Sequence, residues 1–164
     1  MSSRKHLHHF EGGNALSDFR ARALLERLRA AVDRIESIRA RHLHVVSSDA
    51  PMARADLDRA AALLRYGDPF DDAGADDARV IVAPRLGTVS PWASKATDIA
   101  RNCGLAVHRV ERVTEYRIGL RRGLLGGARA LQAGERLAAV AHVDADERLG
   151  LLLVEQASDL VPPV

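Results

Sequence analysis

Three stretches of this chain repeat apolar residues at helical spacing, and extended runs lie between them. Ala21, Leu24, Leu25, Leu28, Ala31, Val32 and Ile35 form one such stripe, with Arg20, Arg22, Arg27, Asp33 and Arg34 mostly on the opposite side. A stripe of that kind folds as an amphipathic helix and has to be buried against something. Ser17 stands where its hydroxyl can accept from an orphan amide of the first turn. A second helix is expected from about Ala53 to Tyr66, with Leu57, Ala60, Ala61 and Leu64 inward. Gly67 then stands where the chain must turn left-handed. A third begins at Ser90-Pro91-Trp92, because proline suits the first helical position, and stops at Gly104 after Cys103.

The runs between read as strands. Lys5 to Phe10 is short enough for an edge strand, with Gly12-Gly13-Asn14 as the turn that ends it. In Ile38 to Val46 the residues Ile38, Ala40, Leu43 and Val45 do not keep one phase, so a bulge or a strand buried on both faces is expected. Arg79 to Ala83 is a β-branched buried strand ended by Pro84, and Ala106–Arg112 and Thr114–Ile118 read as two antiparallel strands. Asp68 to Asp77, with five aspartates, Pro69 and Gly74, is the loop between two halves. Leu120 to Gly127 reads as loop or fraying helix and Ala128 to Val143 as helix, while the last twenty residues carry no periodic signal. The order gives an α+β fold of two similar β-α-β halves.

Composition narrows the class. At 164 residues the chain is about one domain and can bury about two thirds of its unfolded surface without staples. The one cysteine, Cys103, excludes an intramolecular disulfide and a cysteine-rich zinc site. No apolar run approaches the roughly 18 residues of a membrane span, and the first residues lack a secretory apolar core. A reducing, cytoplasmic location and no membrane partner are the expectation. The net charge is only +2, and of the cations only Lys5 and Lys95 are lysines. Arginine alternates with acid along the helices, as on a solvated face, so no nucleic-acid partner is expected. The weaker contrary reading is a basic surface made from Arg109, Arg112, Arg117, Arg121 and Arg122.

Few residues suggest chemistry. His42 and His44, and likewise His6 and His8, are two apart on strands and share a face; with Asp49 near, a metal site is conceivable. Zinc sites need three or four spaced ligands and an outer shell, so the histidines read as half-exposed strand positions and no metal is expected. Cys103 ends a helix, where the dipole disfavours a thiolate, and reads as a buried inert thiol. Gly123, Gly126 and Gly127 lack the strand-to-helix framing of a phosphate loop. The hydroxyls of Thr88, Ser90, Ser94 and Thr97 gather with Lys95 at a helix start, where free amides suit an anion. The plainer reading is that Ser90 caps the helix and Trp92 packs.

The stretch Pro84-Arg85-Leu86-Gly87-Thr88-Val89-Ser90-Pro91-Trp92-Ala93-Ser94-Lys95-Ala96-Thr97-Asp98-Ile99-Ala100-Arg101-Asn102-Cys103-Gly104-Leu105 closely resembles a signature of the large single-chain phosphoribosylformylglycinamidine synthases (formylglycinamide ribonucleotide, or FGAR, amidotransferases). These are ATP- and glutamine-dependent ligases of purine biosynthesis. Weaker likenesses flank it in order: Gly12-Gly13-Asn14-Ala15-Leu16-Ser17-Asp18-Phe19-Arg20, His42-Leu43-His44-Val45, Leu63-Leu64-Arg65-Tyr66-Gly67, and Val110-Glu111-Arg112 with Tyr116-Arg117. The likeness covers about Lys5 to Ile118. Leu86 stands where the family usually has proline, Ala93 where it has serine, and Val113 where a glycine is expected in the turn between the last two strands; valine resists the positive φ of such a turn.

The resemblance implies an N-terminal domain over residues 1–119 that resembles a fused dimer of the small PurS subunit, with antiparallel sheets and helices packed on one face. Residues 120–164 are then a helical extension or the start of a linker. It implies no catalytic residue and no cofactor in this chain, since the family's ATP and Mg sites and its glutaminase triad lie in later domains. The chain alone is therefore expected to be inactive, a fragment of a synthase whose partners are its own synthetase and glutaminase domains. Thr88, Ser90, Trp92, Ser94, Lys95, Thr97, Asp98 and Asn102 are the candidate anion-binding or interdomain contact residues. The alternative is a stand-alone anion-binding or scaffold module of the same fold.

Overall fold

A computed structural model describes residues 5–73, 78–84, 88–121, 131–132, 134–136, 138–139, 141 and 151–154. Its elements run β1 (His6–Asn14), α1 (Asp18–Ala31), β2 (Ile35–Ser48), α2 (Arg54–Leu64), β3 (Ala78–Pro84), α3 (Pro91–Asn102), β4 (Arg109–Leu120) and β5 (Leu151–Val154). The strands form one antiparallel sheet in the order β1-β2-β4-β3-β5. The units β1-α1-β2 and β3-α3-β4 are the two β-α-β halves, and their long strands β2 and β4 pair down the centre, from Ile35↔Leu120 to Ser47↔Arg109.

The helices pack on one face of this sheet. The inward residues of β2 and β4 share one parity: Ile38, Ala40 and Val46 on β2, Val110, Tyr116 and Ile118 on β4. Side chains alternate across a strand, so these six stand on the same side. Two cores form along it. Near one end, α1 presses Leu24 and Leu28, both fully buried, onto Ile35, Ile38, Val80, Val82, Tyr116 and Ile118. Burying a leucine side chain contributes about 1.5–3 kcal/mol. Leu131 and Ala139 close this core, and Arg34 anchors their segment through Glu135 at 2.5 Å, which holds the Glu135 carboxyl down at about 2. Near the other end, Ala60 and Leu64 of α2 and Ala100 of α3 meet Val46 and Val110.

Sequence and structure part company at four places. Gly12-Gly13-Asn14 does not end β1 but belongs to it, with a register shift between Glu11 and Asn14. Ala106–Arg112 and Thr114–Ile118 are not two strands: β4 is continuous, and Val113 is a buried strand residue opposite Leu43, where no turn and no positive φ is required. The first helix ends at Ala31 rather than running on, and Ile35 opens β2. Leu151–Val154, which had no periodic signal, pairs as β5 with the outer edge of β3. The helix expected over Ala128 to Val143 is seen at residues 134–136, 138–139 and 141, and the Gly123–Gly127 cluster lies outside the described residues.

The second face of the sheet is charged, yet partly buried. Glu115, 1% exposed, receives Arg41 Nε at 2.5 Å and faces Arg117 Nε at 3.3 Å. The chain after α2 crosses this face: Asp72 pairs with Arg117, the Asp71 carbonyl accepts from Arg39, and the Phe70 ring lies under the Arg41 guanidinium. Burying charge is tolerable only when partners compensate it, and here each buried arginine has a carboxylate.

Candidate functional site

The first turn of α3 is built as its sequence suggests. Ser90 is the cap, extended at φ −70° and ψ 147°, and its Oγ accepts from the Ala93 amide at 3.0 Å. Pro91 follows, lacking the amide that would be left unpaired at this position. Ala93, Thr97 and Ala100 face the sheet. The Thr97 hydroxyl donates to the Ala93 carbonyl at 2.7 Å and accepts from the Val110 amide at 2.9 Å, tying α3 to β4. Ser94, Lys95, Asp98 and Asn102 are exposed. Thr88 is also exposed, and its carbonyl accepts from Arg109 Nη2 at 3.1 Å. The eight candidate residues therefore divide. Ser90 and Thr97 hold the helix in place, Trp92 packs inward, and the other five point outward rather than converging on one point.

Trp92 leads to a cluster that residue spacing does not announce. Its ring lies against that of His44, with centroids 5.5 Å apart and planes at 26°. His44 Nε2 shares a hydrogen bond of 2.8 Å with the Tyr66 hydroxyl, and the Tyr66 hydroxyl accepts from Arg112 Nη1 at 3.3 Å. The Arg112 guanidinium sits over the Trp92 ring at 4.6 Å, a cation–π distance. Burial, and then the charge of Arg112, push both His42 and His44 down to about 4, so both are neutral at pH 7. Gly12 and Gly13 make room for this arrangement. A Cβ on Gly12 would lie 2.7 Å from His44 Cε1, and one on Gly13 would lie 2.5 Å from the Asp68 carbonyl oxygen. Gly67, at φ +77°, turns the chain beside Tyr66. Five separated stretches, Gly12-Gly13, His42-Leu43-His44, Tyr66-Gly67, Trp92 and Arg112, thus meet at one place. The signal was available in the sequence, as the order of the short likenesses, but not as any chemical motif.

Beside the cluster runs an apolar groove of about 540 Å³ between the end of α2 and the outer side of α3. Leu63, Tyr66, Pro91, Trp92, Ala96 and Ile99 line it, with Lys95 at its rim.

Other candidates fare differently. Among the described residues no group of three or more His, Cys, Asp or Glu side chains could hold a metal ion. Asp49, considered with the histidines, instead pairs with Lys5. Cys103 is exposed, not buried as expected, because α3 stops at Asn102 before its period brings an inward position round again. Of the arginines suggested as a basic surface, Arg109 pairs with Glu111, Arg121 with Glu36, and Arg117 is buried against Glu115 and Asp72; Arg122 lies outside the described residues. No described helix is long and apolar enough to cross a membrane.

A model of the family described as formylglycinamide ribonucleotide amidotransferase N-terminal matches residues 41–149, about two thirds of the chain. The chain belongs to this family. The match contains His42, His44, Tyr66, Trp92, Arg112 and all eight candidate positions from Thr88 to Asn102. It also continues past Ile118, where the likeness read from individual residues fades, and it stops just short of β5. As an FGAR amidotransferase N-terminal domain, the chain belongs to purine biosynthesis.

Proposed function

We propose that this domain takes no part in bond making and supports the coupling of glutamine-derived ammonia transfer to ATP-dependent amidation of formylglycinamide ribonucleotide. In this reading the synthetase and glutaminase domains of the same cytoplasmic ligase are its partners, and ATP and Mg belong to them. The observation that carries the reading is the use made of the signature helix. The family's characteristic residues around α3 go into fixing the helix on the sheet through Ser90, Trp92 and Thr97. Among the described residues they do not assemble a nucleophile, a base and an oxyanion site within reach of one another, as group transfer requires. What α3 offers outward is a stripe of small polar and charged side chains, Ser94, Asp98 and Asn102, four residues apart on one side, with Lys95 and Thr88 beside it. Residues four apart share a helix face, and that stripe is the proposed interdomain contact.

The test is direct. The purified chain, incubated with glutamine and with ATP and Mg, should release neither ammonia nor phosphate above a blank. Robust ammonia release from glutamine by this chain alone would overturn the proposal.

A further inference from the structure

We infer that the polar band between the two cores, made by His42, Thr114 and Arg112, is a binding site for a phosphate dianion, free or as a monoester. This goes beyond the coupling role and does not depend on it. The place follows from strand register. On the helix-bearing face of β2 and β4, the row Ala40↔Tyr116 belongs to one core and the row Val46↔Val110 to the other. The two rows between them are His42↔Thr114 and His44↔Arg112. Side chains directly opposite stand about 5 Å apart at Cβ, and diagonal ones about 7–8 Å. His42, Thr114 and Arg112 therefore stand at one place, and Arg112 is close enough for its charge to depress His42.

A polar group taken out of water costs free energy unless it is hydrogen-bonded. Part of that cost is met here, since His44 Nε2 and Arg112 Nη1 both bond the Tyr66 hydroxyl. The rest is not. His42 Nδ1 is buried with no hydrogen-bond partner among the described residues. The hydroxyl of Thr114, a residue 7% exposed, has none among them either. A guanidinium carries five N–H donors. Tyr66 takes one from Arg112 at 3.3 Å, and the other contact of Arg112 is the face of the Trp92 ring.

The charge is also uncompensated. Among the described residues no carboxylate pairs with Arg112. Its neighbours Glu111 and Glu115 alternate to the second face, where they pair with Arg109 and Arg41. The titratable groups on the helix side of this band are His42, His44, Tyr66 and Arg112, and both histidines are neutral at pH 7. One positive charge thus stands among unused donors, unlike the buried arginines of the second face, each of which has a carboxylate. The donor set also selects the anion. A carboxylate has two oxygens, which the guanidinium fork alone would satisfy. A phosphate has further oxygens for the Thr114 hydroxyl and for a His42 that carries its proton on Nδ1. Arg112 is partly exposed, so the place is open to solvent.

The experiment titrates the whole chain at pH 7 and constant ionic strength with inorganic phosphate, methyl phosphate and acetate, following amide and histidine ring signals by NMR. The expected result is a saturable shift centred on His42, Arg112 and Thr114 with inorganic phosphate, and acetate weaker by about tenfold. Arg112→Lys keeps the charge but loses the fork, and should weaken phosphate by about tenfold. Thr114→Val keeps the shape and a strand former without the hydroxyl, and should cost about fivefold. Lys95→Met, at the start of α3, should change nothing. Binding of inorganic phosphate alone would support a free ion, and binding of methyl phosphate as well a monoester headgroup. No saturable shift, acetate equal to phosphate, or undiminished binding in both Arg112→Lys and Thr114→Val would each overturn the inference. So would a loss in Lys95→Met as large as in Arg112→Lys, which would move the anion to the helix start. None of these outcomes alters the expected absence of glutaminase activity, so failure here is distinguishable from failure of the coupling role.

Discussion

Replacing Glu115 by leucine should expose how the second face of the sheet is held together. Glu115 is 1% exposed, and Arg117, 3.3 Å away, is 2% exposed. Removing one member of a buried ion pair typically costs about 3–5 kcal/mol, because a charge is left without compensation. Some compensation survives here: Arg117 keeps Asp72 at 3.3 Å and Arg41 keeps Glu11 at 3.0 Å. Both remaining carboxylates are largely exposed, at 58% and 75%, so water screens them and they recover little. The expected loss is therefore near the lower end, about 3 kcal/mol, for Glu115→Leu and similarly for Arg117→Met. The double variant removes both charges and leaves only Arg41 with its Glu11 partner, so it should be more stable than the sum of the singles by about 2–3 kcal/mol. Urea unfolding followed by Trp92 emission at neutral pH measures all four corners of the cycle. Strictly additive losses, or a single-variant loss under about 1 kcal/mol, would show that these groups are solvated and refute the reasoning.

Further outcomes follow from the cluster around Trp92. His42 and His44 are held at about 4, below the ordinary 6.5, so the unfolded chain binds more protons than the folded one between those values. Their contribution is whole above about pH 6.5 and is lost as pH falls through about 4, each unit of depression being worth about 1.4 kcal/mol. Urea midpoints measured across that window should fall with acidification, and His44→Gln should flatten the slope; an unchanged slope would contradict the burial of His44. Gly13→Ala should destabilise by about 1–3 kcal/mol, since its Cβ meets the backbone oxygens of Asp68 and Tyr66 at 2.5 and 2.7 Å, which cannot swing aside; a neutral effect in thermal melts would show that the 66–68 segment is not pressed on β1.

What the sequence made legible was local. The caps at Ser17 and Ser90 and the left-handed stops at Gly67 and Gly104, at φ +77° and +80°, stand where turn and cap chemistry puts them. The continuous β4 did not show, because the resemblance places a turn at Val113, whereas the strand runs straight through it opposite Leu43. The partners of the buried Glu115, Arg41 on β2 and Arg79 on β3, lie far off in sequence, and only the pairing of strands brings those charges together. Cys103 read as buried because a helix end disfavours a reactive thiolate, but the dipole bears on reactivity and not on burial, and the residue stands exposed at the cap of α3. The cluster of His44, Tyr66, Trp92 and Arg112 was present as four fragments of one resemblance; neither residue type nor spacing joins them, since β2, the turn after α2, α3 and β4 supply one each.

The central claim is that the domain supports coupling and performs no chemistry. It is tested most directly in a synthase that carries this domain as its N-terminal part, by comparing amidation driven by glutamine with amidation driven by added ammonia. Reversing the outward charge of α3 with Asp98→Lys, at an exposed position that leaves Ser90 and Thr97 in place, should lower the glutamine-driven rate several-fold and leave the ammonia-driven rate intact. Equal loss of both rates, or no change in either, would contradict the account.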